Sequence, residues 1–576
     1  MKNAEAAQVL HDIADLLEMQ GVDFKPQAYR KAARSIEELS EDVAGLHKKG
    51  GKECLKQIAG VGEGIAEKLD ELLSTGKLKY YEELKKKFPA HISALMEVPG
   101  LGPKRIKLLH EKLGIKSVGD LEKAAKAHKI SSLPGLGEKA EKDLLKGIGL
   151  VKKGKERMLL GLALPIAMEL ESRLGSLKFV SRAIVAGSLR RRQETVGDLD
   201  ILVVSGKPKE VMDFFTSMKD VQRVLAKGET KSSILLRSGL QVDVRVVEEK
   251  SFGAALQYFS GDIQHNVKLR EMAIGKGYKL NEYGLFTRKG DKYVAGKTED
   301  EVYKALSMDC PEPEIRADRG EIEAAISHKL PKLISYNSIK GDFHAHTTKS
   351  DGSDKLGEMV DAAKKLGYEY IAITDHSVSE RIASGLNEEE MDKWIKEIRE
   401  FARKTRGIRV LAGSEVSIKA SGELDYSDDL LRKMDIVVAS VHSRFKSSGE
   451  EMTKRIVNAL SSKYVDILGH PTGRRINRRE PYAVDIKAVI KAAVDNNICL
   501  EINSQPERLD LKDIHVREVK EMGAKFVINT DSHSTEDLKF MELGIATARR
   551  GWLEQKDVIN TLPLEELPRY FRKIKL

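Results

Sequence analysis

Three hydrophobic rhythms divide the chain. Through residues 1 to about 150, apolar positions recur at spacings of three and four, as in Val9, Leu10, Ile13, Leu16 and Leu17 and again in Ile65, Leu69 and Leu72. That stripe predicts short amphipathic helices, and no strand is predicted before about residue 180. There the period changes to two. FVSRAIVAGS, DLDILVVS, SSILLRS and QVDVRVV read as strands of a small α+β sheet, with a helix around 208–218 between the second and third. A helical pattern returns at Asn266–Lys276, followed by turn-rich residues 277–300. The charged, proline-containing stretch CPEPEIRADRGEIE, which starts at Cys310, reads as a connection between domains. Beyond about 335, seven apolar runs alternate with helical patterns: KGDFHAHT, YIAITDHS, RVLAGSEVSI, IVVASVHS, VDILGHPTG, CLEINSQ and KFVINTDSH. Alternation of this kind predicts βα units on a parallel sheet, and seven of them predict a closed or nearly closed barrel.

Length and composition set the frame for these elements. A chain of 576 residues exceeds one core, and at ~150 residues per domain three to five domains are expected. The formal charge of +9 favours polyanionic partners without identifying one. Three cysteines, Cys54, Cys310 and Cys499, lie far apart without a CxxC spacing, which excludes a thiolate zinc finger and a disulfide framework and fits a reducing cytoplasm. The N-terminal stretch is amphipathic and lacks signal-peptide order. No apolar run approaches the ~18 residues that would span a bilayer, so no membrane partner is expected.

The helical part contains an internal repeat: IAGVGEGIAEKL at 58–69, VPGLGPKRIKLL at 98–109 and LPGLGEKAEKDLL at 133–145. Each is an apolar residue, a Gly-x-Gly turn and an amphipathic helix. Glycines there let backbone amides approach a phosphate closely, and the helix start adds further amides. Gly60, Gly62, Gly100, Gly102, Gly135 and Gly137 are therefore candidate DNA contacts, joined by Lys104 and Arg105 at the start of the second helix. The alternative is a tight turn selected for packing. The segments resemble helix-hairpin-helix motifs, which grip DNA backbones without reading base sequence.

In GDLD, Asp198 and Asp200 are separated by one residue on a predicted strand, so both carboxylates project from one face. Asp243 on a later strand of the same sheet adds a third. Three convergent carboxylates repel unless a cation sits between them, and oxygen ligands suit Mg²⁺ or Mn²⁺. Two such ions lower the pKa of an attacking hydroxyl and stabilise a departing pyrophosphate. Gly187 and Ser188 offer an amide and a hydroxyl to phosphate, Arg191 offers positive charge, and Gly197 opens the GDLD turn. This arrangement resembles the palm of the family X DNA polymerases, with its nucleotidyltransferase signature. The resemblance extends to Tyr258, Phe259 and Gly261 beside the incoming sugar, and to the dNTP- and template-facing helix that carries Asn266 and Arg270. GIAEKLDELLSTGKLKYYEEL resembles the family's template-binding lyase domain, with Lys68 at the position of the Schiff-base lysine. Gln241 stands where mammalian members carry an arginine two residues before the third aspartate.

His344 and His346 are also i and i+2, and Asp351 follows on the adjoining loop. His376, Glu415, His442, His470, Asp531 and His533 sit at or beside the ends of further apolar runs. Nitrogen and carboxylate ligands without thiolate suit Zn²⁺, Mn²⁺ or Fe²⁺, and nine ligands suit two or three ions, with Glu415 as a bridge. Arg474, Arg475, Arg478 and Arg479 either hold a nucleic-acid backbone at the rim or form a solvated charge run. The segment resembles the PHP (polymerase and histidinol phosphatase) domain through HAH, D, DH, E, H, H and DSH. That resemblance implies a distorted (β/α)₇ barrel with a trinuclear phosphoesterase centre.

The expected domains are 1–85, template-binding and lyase-like with a helix-hairpin-helix; 86–150, with two more such motifs; 151–255, the palm; 256–318, the dNTP- and template-facing subdomain; 319–335, a linker; and 336–576, the PHP phosphoesterase. The resemblances imply a prokaryotic gap-filling repair polymerase that takes gapped or primer-template DNA and dNTPs; the cysteine pattern fits the cytoplasm, and a monomer is expected because nothing in the sequence requires a dimer. The barrel would be a 3′→5′ exonuclease, with abasic-site endonuclease or 3′-phosphatase activity as further options. Two rival readings are a palm fused to a small-molecule phosphatase and a DNA-binding scaffold without turnover.

Overall fold

The computed structural model describes residues 3–575 apart from 20, 21, 23, 24, 38–42, 59, 86–94, 96, 97, 99, 100, 102, 134, 135 and 156. The chain forms two compact units, Met1–Glu156 and Arg157–Leu576.

The described part of the first unit is helical. Helices Asn3–Met19, Lys25–Glu37, Val43–Leu55, Glu63–Thr75 and Lys79–Lys85 pack around Leu10, Ile13, Ile36, Leu69 and Leu72. Pro103–Leu113, Val118–Lys126 and Glu138–Lys155 enclose a smaller core with Ile106, Leu109, Leu121 and Leu144. Of the apolar residues named by the 3–4 spacing, all but the partly buried Val9 are buried, as expected where helices depend on packing for stability.

The second unit opens on a two-residue pair, β1 (Met158–Leu159) with β3 (Thr195–Val196). A five-stranded sheet follows, built from β2 (Val180–Val185), β4 (Asp198–Ser205), β5 (Val221–Lys227), β6 (Lys231–Leu236) and β7 (Gln241–Val247) in the order β2-β4-β7-β6-β5. Helices Leu160–Gly175 and Pro208–Thr216 pack against it through Leu164, Leu170, Met212 and Phe215. β5 departs from the sequence expectation, which had no strand there. It is an edge strand with six of its seven residues exposed, so it has no buried face to produce alternation. The turn-rich reading of 277–300 also changes. β8 (Tyr278–Asn281), β9 (Gly284–Thr287) and β10 (Tyr293–Ala295) form a small antiparallel sheet there.

The stretch from Cys310 is packed rather than loose. Arg316 is buried, and its guanidinium bonds Glu299 and the Pro311 carbonyl. Glu314 accepts from Arg549 at 2.7 Å. Helix Glu321–Ile326 buries Ile322 and Ala325, and Glu321 accepts from the buried His265 ring at 2.6 Å. High charge made this segment read as a solvated connection, but its charges are neutralised pairwise inside the fold.

β11 (Gly341–Asp342), β12 (Tyr370–Ile373), β13 (Arg409–Ser417), β14 (Ile436–Ser440), β15 (Ile467–Leu468), β16 (Cys499–Asn503) and β17 (Phe526–Asn529) form a parallel sheet in sequence order. The His346 amide, just past β11, donates to the Ser532 carbonyl, just past β17, at 2.8 Å and brings the sheet close to closure. This is the distorted (β/α)₇ form. The interior is filled by Phe343, Tyr370, Leu411, Val438, Ile467 and Val527, so the ligands gather at the C-terminal rim. Among the described residues, no helix is long and apolar enough to cross a membrane.

Candidate active sites

The palm carboxylates lie on the two parallel central strands. Asp200 on β4 pairs in register with Asp243 on β7, and Asp198 pairs with Gln241. Asp198 is exposed, while Asp200 is largely buried. Burial, then the charges of Asp198 and Asp243, push the Asp200 carboxyl up to about 6. Gln241 donates to Asp243 Oδ1 at 3.0 Å, and Lys231 Nζ stands 3.5 Å from Oδ2. At Gly187 φ is +65°, and a Cβ would come within 2.5 Å of Asp200 Oδ2. Glycine is thus required by both backbone and carboxylate.

Around this face, the Ser188 hydroxyl is buried with no protein partner. Arg191 donates to the Ser260 carbonyl at 2.8 Å, while its Nε is buried and unpartnered. Gly197 lies against Arg157, whose Nη1 would be 2.9 Å from a Cβ there. Tyr258 and Phe259 form the last turn of helix Phe252–Ser260, their rings edge to face at 5.1 Å. Gly261 ends that helix, and Asn266 bonds back to the Tyr258 carbonyl at 2.6 Å. Arg270 Nε reaches the Asn266 carbonyl at 3.3 Å. Ser188 and Arg191 therefore hold unspent hydrogen-bonding capacity beside three carboxylates. That donor set fits divalent ions and a polyphosphate.

The barrel rim brings all nine expected ligands into one cluster. Glu415 lies at its centre on β13. Its Oε1 is 2.8 Å from His470 Nε2 and 3.1 Å from His442 Nε2, and its Oε2 is 3.0 Å from His376 Nδ1 and 3.4 Å from His344 Nε2. Asp531 Oδ1 is 3.1 Å from His346 Nε2, and Asp351 Oδ2 is 3.2 Å from His533 Nε2. Three groups have ligand atoms close enough to share an ion: His346, Asp351, His376 and His533; His344, His346, Glu415 and Asp531; and His376, Glu415 and His442. His344 Nε2, His346 Nδ1, His376 Nδ1 and Glu415 Oε2 are buried without hydrogen-bond partners. Orphaned nitrogens facing an orphaned carboxylate oxygen fit bound cations.

The electrostatics are divided in the same way. Against burial, the surrounding imidazoles hold Glu415 and Asp531 well below the usual carboxylate range. Burial and the charges of His533 and His376 push the His346 ring down to about 3. Burial opposes charge on His533 too, but Asp351 and Asp531 raise that ring to about 9.

Glu501 is a site residue that the sequence reading missed. It lies on β16, the one barrel strand that supplies none of the nine ligands, and its Oε1 is 2.7 Å from His344 Nδ1. It also accepts from the His470 amide at 2.6 Å and from the Asn503 and Asn529 side chains. It fixes the ring orientation of one ligand and the backbone of another. An acid inside the apolar run CLEIN was the available signal. Arg508, with Nε 3.5 Å from Asp531 Oδ2, was missed as well.

The arginine run divides. Arg474 is buried and bonds Glu194 at 2.8 Å and the Arg508 and Leu509 carbonyls, so both readings of the run, a nucleic-acid contact and a solvated charge, are corrected at this position to a structural role. Arg475, Arg478 and Arg479 line an open cavity of 620 Å³ that also exposes Asp351, His376 and His533.

In the first unit, Gly60 has a φ of +82°, and a Cβ at Gly62 or Gly137 would meet nothing within 4 Å. Packing therefore does not demand glycine at Gly62 or Gly137. Arg105 is exposed on helix Pro103–Leu113. Gly100, Gly102 and Gly135 lie outside the described residues, as does the side chain of Lys104. Lys68 Nζ donates to the Gly64 carbonyl at 2.9 Å and stands 4.9 Å from the Tyr80 ring centroid.

Four family models match the chain: a helix-hairpin-helix domain over residues 1–78, a SAM-like helix-hairpin-helix tandem over 92–149, a DNA polymerase beta thumb over 255–317 and a PHP domain over 342–505. Among curated proteins, the chain is 37% identical over 576 residues to the DNA polymerase/3′-5′ exonuclease PolX of Bacillus subtilis (strain 168), covering 100% of both. A probable phosphatase of Thermoanaerobacter sp. (strain X514) is 31% identical over 231 residues, 38% of this chain and 89% of its own length. Among solved structures, polymerase beta of Leishmania infantum in a ternary P/T complex is 25% identical, with a TM-score of 0.32, covering 39% of this chain and 98% of its own.

Proposed function

The chain belongs to the bacterial family X DNA polymerases with helix-hairpin-helix and PHP domains, and we propose that its palm extends the kind of strand whose 3′ end its barrel trims. It is a DNA polymerase with a gap-filling repair role. Membership implies DNA and dNTP as partners, and the barrel clusters fit several metal ions at a phosphoesterase centre.

For the palm, we assign Asp198, Asp200 and Asp243 to two divalent ions, Mg²⁺ or Mn²⁺. When bound, these ions make the primer 3′-hydroxyl a better nucleophile and offset charge on the departing pyrophosphate. The 3′ oxygen bonds to the α-phosphorus of a dNTP, the bond to pyrophosphate breaks, and the hydroxyl proton is released. Ser188 and the Gly187 amide hold phosphate oxygens, and Arg191 counters their charge. Tyr258, Phe259 and Gly261 form the wall beside the sugar. Asn266 and Arg270 face dNTP and template.

In the barrel, the nine ligands would hold two or three Zn²⁺, Mn²⁺ or Fe²⁺ ions, which supply a nucleophile from water and charge neutralisation at phosphorus. Glu501 keeps His344 in one tautomer, and Arg508 orients Asp531. The reading is a 3′→5′ exonuclease, with abasic-site cleavage or 3′-phosphate removal on the same centre. The helix-hairpin-helix turns hold the DNA backbone. Lys68 is the candidate for 5′-deoxyribose phosphate release, tested by borohydride trapping in Lys68→Ala. We assign a monomer, and light scattering tests that.

The observation that carries the two-activity reading is the full-length relationship together with the convergence of eight rim ligands in shared groups and of His470 on Glu415. Asp243→Ala should abolish nucleotide addition and spare nuclease activity, and His344→Ala should do the reverse. If either substitution removed both activities, the two-site assignment would fall. The likeness of the barrel to a probable phosphatase favours a second reading, in which it acts on small phosphomonoesters. Turnover of histidinol phosphate against that of a 3′-recessed duplex decides between them.

A further inference from the structure

The apolar part of the cavity over the barrel ligands consists of Ile382, Ala383, Val441 and Phe445. Ala383 and Val441 are buried, and Phe445 packs partly against the barrel core. Ile382 does not share their surroundings. It is 96% exposed, more than any other large hydrophobic side chain among the described residues. An aliphatic side chain fully in water at the mouth of a charged, metal-binding cavity contributes nothing to the fold. Scattered exposed leucines and isoleucines are ordinary, but this one stands on a loop that the structure clamps.

The loop runs from Ser377 to Leu386. Its ends are bridged as in a parallel sheet, and the Leu386 amide donates to the His376 carbonyl at 2.9 Å. A Cβ at Gly385 would lie 1.9 Å from the Ser377 carbonyl oxygen, so the closure leaves no room for a side chain. The Ser379 amide and hydroxyl both donate to Asp425, at 2.7 and 2.5 Å. The tip residue Ile382 thus projects from a base fixed directly to a ligand strand.

We propose that Ile382 is a wedge that separates the 3′-terminal nucleotide from its stacked and paired neighbour, so that the last phosphodiester reaches the barrel ligands. This specificity role rests on the nuclease reading above. Asp351 and His533 reach the cavity surface, but the deeper ligands are recessed, with His344 and His346 wholly buried and Asp531 nearly so. A terminal nucleotide still stacked in a duplex cannot descend to them. Unstacking becomes favourable when an aliphatic side chain covers the base face left behind. The wedge forms no covalent bond and touches no ion. It determines which ends are cut, not the chemistry of cutting.

The test compares the wild-type chain with Ile382→Ala and Ile382→Leu on DNA with a fully paired 3′ terminus and DNA with a frayed, mismatched 3′ terminus. Hydrolysis of bis(p-nitrophenyl) phosphate reports whether the centre is intact. Ile382→Ala should lower the ratio of paired to frayed cleavage by about tenfold, and Ile382→Leu should restore it. A 2-aminopurine at the paired 3′ end, measured without added divalent ion, should brighten on binding the wild type and stay quenched with Ile382→Ala. An unchanged ratio, or equal loss on both ends with unchanged fluorescence, overturns the wedge. A wild type that hydrolyses the chromogenic ester but cuts neither DNA overturns the nuclease reading, and the wedge with it.

Discussion

The palm and the barrel both gather acidic and polar ligands at strand ends, yet they hold them in opposite ways. The palm presents three carboxylates on one face, with Asp198 in solvent, Asp200 and Asp243 partly buried, and Gln241 and Lys231 beside Asp243. The barrel buries most of its ligands, leaves Asp351 and His533 partly open to the cavity, and secures the cluster from behind, as Glu501 does for His344 and His470. An open face suits a site that the substrate helps to complete, because the triphosphate brings oxygen ligands of its own. A pre-oriented cluster, held from behind and open only towards its cavity, suits a site in which the protein supplies most of the ligands. The difference teaches that one chain gathers carboxylates in two ways, with few fixed partners in the palm and with a hydrogen-bonded backing in the barrel.

That contrast can be broken at four points. Glu415→Ala removes the carboxylate shared by two of the three barrel groups and should lower nuclease turnover on the order of 10³-fold, with primer extension within twofold in a gapped-duplex assay. Gly187→Ala drives a Cβ into the Asp200 carboxylate and should lower nucleotide addition ~10²-fold, leaving barrel metal content unchanged by elemental analysis. Glu501→Gln should weaken barrel ion affinity ~30-fold, read by competition with a chelator. The smallest effect is in protons. Binding of a divalent ion at pH 7 should release a proton from His533, whose ring is raised to about 9, and little from Asp200, already ionised above about 6. Below pH 6 the palm should release one as well. Calorimetry in buffers of different ionisation enthalpy separates the two, and equal release at pH 7 would remove the distinction.

The barrel was the more legible half. Its strands are buried on both faces, so each reads as an apolar run, and its ligands sit where the run stops. The palm carboxylates were legible because strand alternation alone puts Asp198 and Asp200 on one face. What escaped was decided by partners remote in the chain. Arg474 lies beside three rim arginines in sequence, and Glu194, 280 residues away, draws it inward together with the Arg508 and Leu509 carbonyls. Arg316 and Glu321 looked like linker charges because their partners Glu299 and His265 belong to other elements. β5 was unreadable because an exposed edge imposes no hydrophobic rhythm. Glu501 was readable in principle, since a carboxylate between Leu500 and Ile502 in a buried strand requires a partner.

The ion pairs that tie the palm side to the barrel carry a further consequence. Glu194 is held by Arg474, and Glu314, itself buried, by Arg549. Removing one partner of a buried pair such as Glu314–Arg549 costs ~3–5 kcal/mol, a large fraction of the stability of an ordinary domain, and the half-buried Glu194 adds a smaller loss. Point substitution should separate the two chemistries, whereas cutting the chain between palm and barrel should expose both partners of these pairs. A polymerase shortened at its barrel would inherit stranded carboxylates and fold poorly.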